Sequence, residues 1–177
     1  KVNLILDLKE ILRTFMPDHI ILPLEFDQHV DHIATYYFVK QALIELHKDL
    51  PQLEPTLHRF LVHWKDDKWP RKAATDAIEG LDVKDSKAGA ISPPSDWASA
   101  FPNNHLDWSK RERVPVPPEM LSTNPLANLK MLSLAAHFSQ GGPSFYGNYI
   151  HSDEIFWTEN LFLNSNIRLL PGALGAN

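Results

Sequence analysis

The chain has 177 residues, a formal net charge of −5 and a hydrophobic content of 44%. This length is enough for one domain with its own core, and the composition is typical of a globular protein. Because Lys and Arg are scattered rather than clustered, we expect no nucleic-acid partner. No apolar run approaches the roughly 20 residues that a membrane-spanning helix needs.

Cysteine is absent from the chain. Disulfides and thiolate metal sites are therefore excluded, and any transition-metal site must be built from His, Asp and Glu. The N-terminal residues meet a charge before an apolar region develops, unlike a signal peptide. The lack of cysteine fits a reducing compartment, so we expect a cytoplasmic protein.

The N-terminal third has the pattern of a parallel α/β sheet. Residues 7–16 carry apolar side chains at helical spacing, and Pro17 ends that predicted helix. Residues 19–24 are a short apolar run, which predicts a strand buried on both faces. After a polar loop, residues 33–48 predict a long amphipathic helix, and residues 57–64 predict the next strand. The inner stripe of the long helix is predicted to consist of Ile33, Tyr36, Val39, Leu43 and Leu46.

The rest of the chain is less regular. Prolines are frequent and periodicity is weak in residues 65–118, which we predict to be a long irregular loop. Residues 125–140 predict a helix that Thr123 or Asn124 caps. A further short element is expected in residues 153–163.

Two histidines and a carboxylate, His29, Asp31 and His32, lie between the first predicted strand and the long helix. In open α/β sheets, ligands bind at the carboxyl ends of the strands. Histidine is the commonest metal ligand, and an adjacent helix N-terminus disfavours the imidazolium form, which keeps a ligand histidine neutral. Spacing alone leaves another interpretation open, a polar loop with two surface histidines, because short histidine motifs often match by accident.

The motifs around this segment, taken in order, resemble the LmbE/PIG-L family of zinc-dependent N-deacetylases. The family's second metal motif is matched by Asp27-Gln28-His29-Val30-Asp31-His32. The other matching segments are Pro17-Asp18-His19-Ile20-Ile21-Leu22-Pro23, Ala34-Thr35, Ala42-Leu43, Leu61-Val62-His63 with Trp69-Pro70, His137-Phe138-Ser139-Gln140 and Glu154-Ile155-Phe156. The family's first motif, His-Pro-Asp-Asp-Glu, is not matched.

The resemblance implies a role for each residue of the motif. His32 matches a zinc ligand, and His29 matches the histidine that stabilises the oxyanion and helps to protonate the leaving amine. Asp31 would be the carboxylate that orients an imidazole. Asp27 either supports the loop through Asx-type hydrogen bonds or is an ordinary turn residue. His63 is either a substrate-binding residue or a plain histidine at a strand end.

The fold that the resemblance implies is the C-terminal part of a Rossmann-like parallel sheet with flanking helices and a long Pro-rich loop. We expect residues 1–177 to form a single domain. Because the chain opens with Lys1 and lacks the first motif, we further expect it to be a fragment of a larger deacetylase domain. The missing motif would supply two more zinc ligands and the carboxylate base, so the isolated chain should be inactive.

The activity that the resemblance implies is hydrolysis of an amide. A zinc ion, or another divalent metal, would serve in removing an acetyl group from the amine of an N-acetylated sugar or sugar conjugate. Two other functions stay open. One is a non-catalytic relative that binds a carbohydrate or a protein partner, and the other is a metal-dependent hydrolase of a different amide or ester.

Overall fold

The computed structural model of the chain describes residues 2–63, 106–122, 124–137 and 150–163. Within these ranges the protein is a mixed α/β structure. Its helices and strands are α1 (Val2–Phe15), β1 (His19–Pro23), α2 (Val30–His47), β2 (Thr56–Phe60), β3 (Glu112–Pro115), α3 (Leu129–Ala135) and β4 (Asp153–Glu159). The four strands form one mixed sheet in the order β1-β2-β4-β3. No helix in these ranges is long and apolar enough to cross a membrane.

The chain divides into two compact units. The first contains Lys1–Leu61 and Trp157–Asn177, and the second contains Val62–Phe156. Strand β4 contributes to both, because its last residues pair with β2 and its first residues pair with β3. Most of the predicted Pro-rich loop, residues 65–105, lies outside the described ranges. The expectation of a single domain stays a prediction.

The first unit is built on a parallel strand pair. β1 and β2 are aligned from His19 opposite Thr56 to Pro23 opposite Phe60. Two parallel strands cannot be joined by a tight turn, and here α2 is the helix of the connection. This strand–helix–strand arrangement confirms the parallel pair that the sequence predicts. The pairing of β2 with β4 is antiparallel, unlike the wholly parallel sheet that we expected.

Helix α2 forms the core of the first unit. Tyr36, Leu43 and Leu46 are buried along one face, as their spacing predicts, whereas Ile33 and Val39 are only half-buried. α2 packs against both α1 and β1. The buried side chains of this core are Leu12, Leu22, Tyr36, Ala42, Leu43, Leu46, Leu53, Leu57 and Leu161.

Strand β1 is covered on one face only. Leu22 is 2% exposed, but Ile21, on the opposite face, is 65% exposed. The prediction of a strand buried on both faces was therefore wrong. An apolar side chain can be buried or exposed. The run of apolar residues therefore does not indicate whether a second layer covers the strand.

The second unit contains a short antiparallel pair and a short helix. β3 pairs with the first residues of β4. The prediction of an irregular loop was therefore wrong for the residues of β3. Helix α3 begins after Asn128, whose side-chain oxygen accepts a hydrogen bond from Met131 N at 2.8 Å. Pro125 belongs instead to a preceding 3₁₀ turn, which is why the helix starts later than the sequence suggests.

The buried face of α2 supports a stability prediction. Replacing Leu43, which is 1% exposed, by Ala should lower the free energy of unfolding by about 2–5 kcal/mol, because the deletion leaves a cavity in the core. The matched control is Leu6→Ala on α1, where the side chain is 54% exposed, and its effect should stay within about 0.5 kcal/mol. Urea denaturation followed by circular dichroism measures both, and equal effects would contradict the assignment of the α2 face to the core.

Candidate functional site at the carboxyl end of β1

The predicted site residues lie in the connection between β1 and α2. After Pro23, Leu24 N donates a hydrogen bond to Phe60 O at 2.8 Å, which ties the start of the connection to the end of β2. His29 is the N-cap residue of α2, so Asp31 and His32 lie in the first turn of that helix. The motif therefore lies at the carboxyl end of a parallel strand and at a helix N-terminus, as the sequence predicts.

The buried side chain of Asp27 contacts two other residues of this connection. Its side chain is fully buried, with 0% exposure. The Oδ1 atom accepts a hydrogen bond from His29 N at 2.9 Å, which confirms the Asx-type bond that the sequence suggested. The same oxygen lies 3.1 Å from His32 Nδ1. A buried carboxylate needs a hydrogen-bond donor such as His29 N, because burial without one is costly.

The Asp27 carboxylate lies beside one of the two ring nitrogens of His32. A carboxylate next to Nδ1 favours the tautomer with its proton on Nδ1 and leaves the Nε2 lone pair for another partner. Metal-binding histidines are commonly oriented by a carboxylate in this way. Sequence reasoning gave the orienting role to Asp31, and that role stays a prediction. The Asp31 side chain is 85% exposed, and its Oδ2 lies 3.9 Å from His29 Nδ1.

His29 lies beside His32. The two ring centroids are 4.9 Å apart, and the His29 side chain is 49% exposed. Its Nδ1 accepts a hydrogen bond from Asp31 N at 3.3 Å and so caps the helix. The structure thus brings together two imidazoles and one buried carboxylate.

A buried ionic network adjoins the start of the connection. Arg59 Nη1 lies 2.7 and 2.9 Å from the two Glu25 carboxylate oxygens and 3.4 Å from Glu159 Oε2. Its Nε donates to Trp157 O at 3.3 Å. Sequence reasoning missed this network. The signal was present in the alternation of β2, because Arg59 shares the buried face of Leu57 and a charged residue on such a face requires acidic partners.

Tyr36 extends the network into α2. Its hydroxyl donates to Glu159 Oε2 at 2.8 Å and accepts from Lys40 Nζ at 2.9 Å. Burial raises the pKa of the Tyr36 phenol far above its usual value, and the negative charges of Glu25 and Glu159 raise it further. The phenol therefore stays protonated and acts as a hydrogen-bond donor inside the network.

The last predicted site residue, His63, lies three positions beyond the end of β2 and is half-buried. It belongs to the second unit, and its predicted role in substrate binding stays a prediction. Among the residues that the structure describes, no group of three or more His, Asp or Glu side chains is arranged to hold a metal ion. A catalytic zinc requires three protein ligands, so these residues offer His32 as one candidate ligand and do not fit a complete site.

Comparisons with known proteins found no relative of this chain. No protein-family model, no curated protein and no solved structure matches the chain.

The buried carboxylate leads to a prediction about His32. Asp27→Ala should lower the free energy of unfolding by about 1–3 kcal/mol, because His29 N loses its buried acceptor and His32 Nδ1 loses the carboxylate beside it. Asp49→Ala, at an exposed position after α2, is the matched control and should change it by less than about 0.5 kcal/mol. Long-range ¹H–¹⁵N NMR should also show that His32 loses its preference for a proton on Nδ1. An unchanged His32 tautomer in Asp27→Ala would contradict the proposed pairing.

The raised pKa of Tyr36 leads to a prediction about alkaline pH. A group whose pKa is higher in the folded than in the unfolded state stabilises the fold fully below its unfolded pKa, about 10 for tyrosine, and loses this effect above it. Stability should therefore fall as the pH rises from about 9 to about 11. In Tyr36→Phe the fall should be less steep, although the variant is less stable at neutral pH. Urea denaturation across this pH range measures the slope, and identical slopes would refute the assignment.

Proposed function

We propose that this chain contributes two histidines to a zinc-dependent amide hydrolase, which removes an acetyl group from the amine of an N-acetylated sugar or sugar conjugate. The observation that carries the proposal is the pairing of His32 Nδ1 with the buried Asp27 carboxylate at 3.1 Å, next to His29. The proposal also rests on the ordered motifs by which the sequence resembles the LmbE/PIG-L deacetylases.

His32 is the proposed metal ligand. The Asp27 carboxylate fixes the imidazole, and such a partner raises the basicity of the nitrogen that binds the metal. Residue 32 is in the first turn of α2, so the backbone position of the ligand is set by a helix rather than by a free loop. Both properties favour a ligand that is already in place before the metal arrives, which lowers the cost of binding.

His29 is the proposed donor to the substrate. Cleavage of an amide develops negative charge on the carbonyl oxygen, and a positioned hydrogen-bond donor stabilises that charge. The departing amine then needs a proton, which an imidazole can supply near neutral pH. His29 is half-exposed, so its ring is accessible to a substrate, while its place at the helix N-cap limits where the ring can go.

The proposal needs more ligands than the described residues supply. Zinc in such hydrolases polarises the carbonyl and activates a water molecule, and for this it needs two ligands in addition to His32. The second candidate function is a non-catalytic domain of the same fold that binds a carbohydrate or a protein partner. It requires no metal ligands beyond those in the described ranges.

Substitution of the two histidines in the complete gene product tests the proposal. In His32→Ala, bound zinc and release of acetate from an N-acetylated sugar should fall together, because a metal ligand is lost. In His29→Ala, zinc should stay bound while kcat falls by about 10²–10³, the usual cost of removing one oxyanion donor. Metal analysis beside steady-state kinetics separates the two roles.

The control is His137→Ala, which changes an exposed histidine of the second unit and should alter neither zinc content nor rate. If both substitutions leave acetate release by the complete product unchanged, these histidines do not belong to the site. A complete product that binds the sugar and never releases acetate would replace the hydrolase proposal by the non-catalytic one.

A further inference from the structure

A second pair of histidines lies on the open face of the parallel strands. His19 begins β1, and His58 is in the middle of β2. His58 is aligned with Ile21, so the two histidines are diagonal neighbours on the face where Ile21 is 65% exposed. His19 is itself exposed and His58 is half-buried. Neither residue takes part in the site proposed above.

The two rings approach each other through nitrogen atoms. His19 Nδ1 lies 2.9 Å from His58 Nε2, and the ring centroids are 5.1 Å apart. In this arrangement one ring donates a hydrogen bond and the other accepts it, so the two nitrogens share one proton. Two neutral imidazoles with adjacent nitrogens are also the donor set that divalent transition metals prefer.

The separation of the nitrogens can be compared with the separations that different metal geometries require. With metal–nitrogen bonds of about 2.0–2.1 Å, two ligands at right angles are about 2.9 Å apart. Two ligands at the tetrahedral angle are about 3.3–3.4 Å apart for the same bond length. The observed 2.9 Å is the length of an ordinary hydrogen bond. It also lets the two nitrogens take neighbouring positions of a square-planar or tetragonal site, the geometry typical of Cu(II) and Ni(II), once each ring turns its lone pair toward the ion.

From these observations we propose that His19 and His58 form a surface site for Cu(II), with Ni(II) as a weaker ligand of the same site. The metal takes the place of the shared proton, and the ring that had donated it adopts its other tautomer, so both rings stay neutral. Water completes the coordination, because no third His, Asp or Glu in the described part of the chain joins the pair. The order of affinity follows the general trend for nitrogen ligands, in which Cu(II) exceeds both Ni(II) and Zn(II).

Equilibrium dialysis of the 177-residue chain against Cu(II) tests the site. The wild type should bind Cu(II) with an electron paramagnetic resonance spectrum of a tetragonal ion that carries nitrogen hyperfine structure. At a copper concentration that saturates the wild type, His19→Ala and His58→Ala should each lose this signal. His19→Gln, which keeps a polar side chain at the strand start, should lose it too while its circular dichroism stays that of the wild type.

His32→Ala is the control that separates this site from the proposed zinc ligand, and it should keep the copper signal unchanged. Absence of copper binding in the wild type, or binding that survives both His19→Ala and His58→Ala, would overturn the inference. Copper loss in His32→Ala alone would place the ion at the other histidine pair and would also overturn it. Tighter binding of Zn(II) than of Cu(II) would contradict the tetragonal geometry.

Discussion

The buried charge of Arg59 is the constraint on which the arrangement of the first unit depends. A guanidinium on the inner face of a strand is tolerated only where acidic groups and carbonyl oxygens surround it. Glu25 and Glu159 supply the carboxylates, and Trp157 supplies the carbonyl. These contacts join β2 to the connection after β1 and to the last part of β4, so three separate segments are held around one positive charge.

The same network anchors the start of the connection that carries the candidate site. Glu25 is held by Arg59, and two residues later Asp27 turns its carboxylate inward toward His32. A connection that is anchored at its start and capped at its end has few conformations left. The buried Asp27 carboxylate accepts a hydrogen bond from His29 N and lies 3.1 Å from His32 Nδ1, so it contacts both site histidines.

Sequence reasoning predicted the elements that depend on local pattern and missed those that depend on distant contacts. Tyr36, Leu43 and Leu46 recur at helical spacing, so the core face of α2 was correct. The start of α2 was placed late because His29 caps it, and histidine is not among the preferred N-cap residues. The open face around Ile21 and the pairing of β3 with β4 depend on residues far apart in the sequence, which no local pattern reports.

For the site, the sequence placed His29 and His32 at the strand end, but it could not identify their partner. Asp27 is two residues from His29, and Asp31 is adjacent to His32. Only the three-dimensional turn shows that Asp27 is buried and Asp31 exposed. Arg59 and Glu25 are 34 residues apart, so their pairing could be inferred only as a need for some acidic partner.

The capping bond of His29 determines which atom of its ring can donate a hydrogen bond to a neighbour. Because Nδ1 accepts a hydrogen bond from Asp31 N, the neutral ring carries its proton on Nε2, and only that atom can donate outward. A hydrogen-bond acceptor placed beside this ring can therefore receive a bond from Nε2 alone. The direction of that donor is set by the same bond that starts α2.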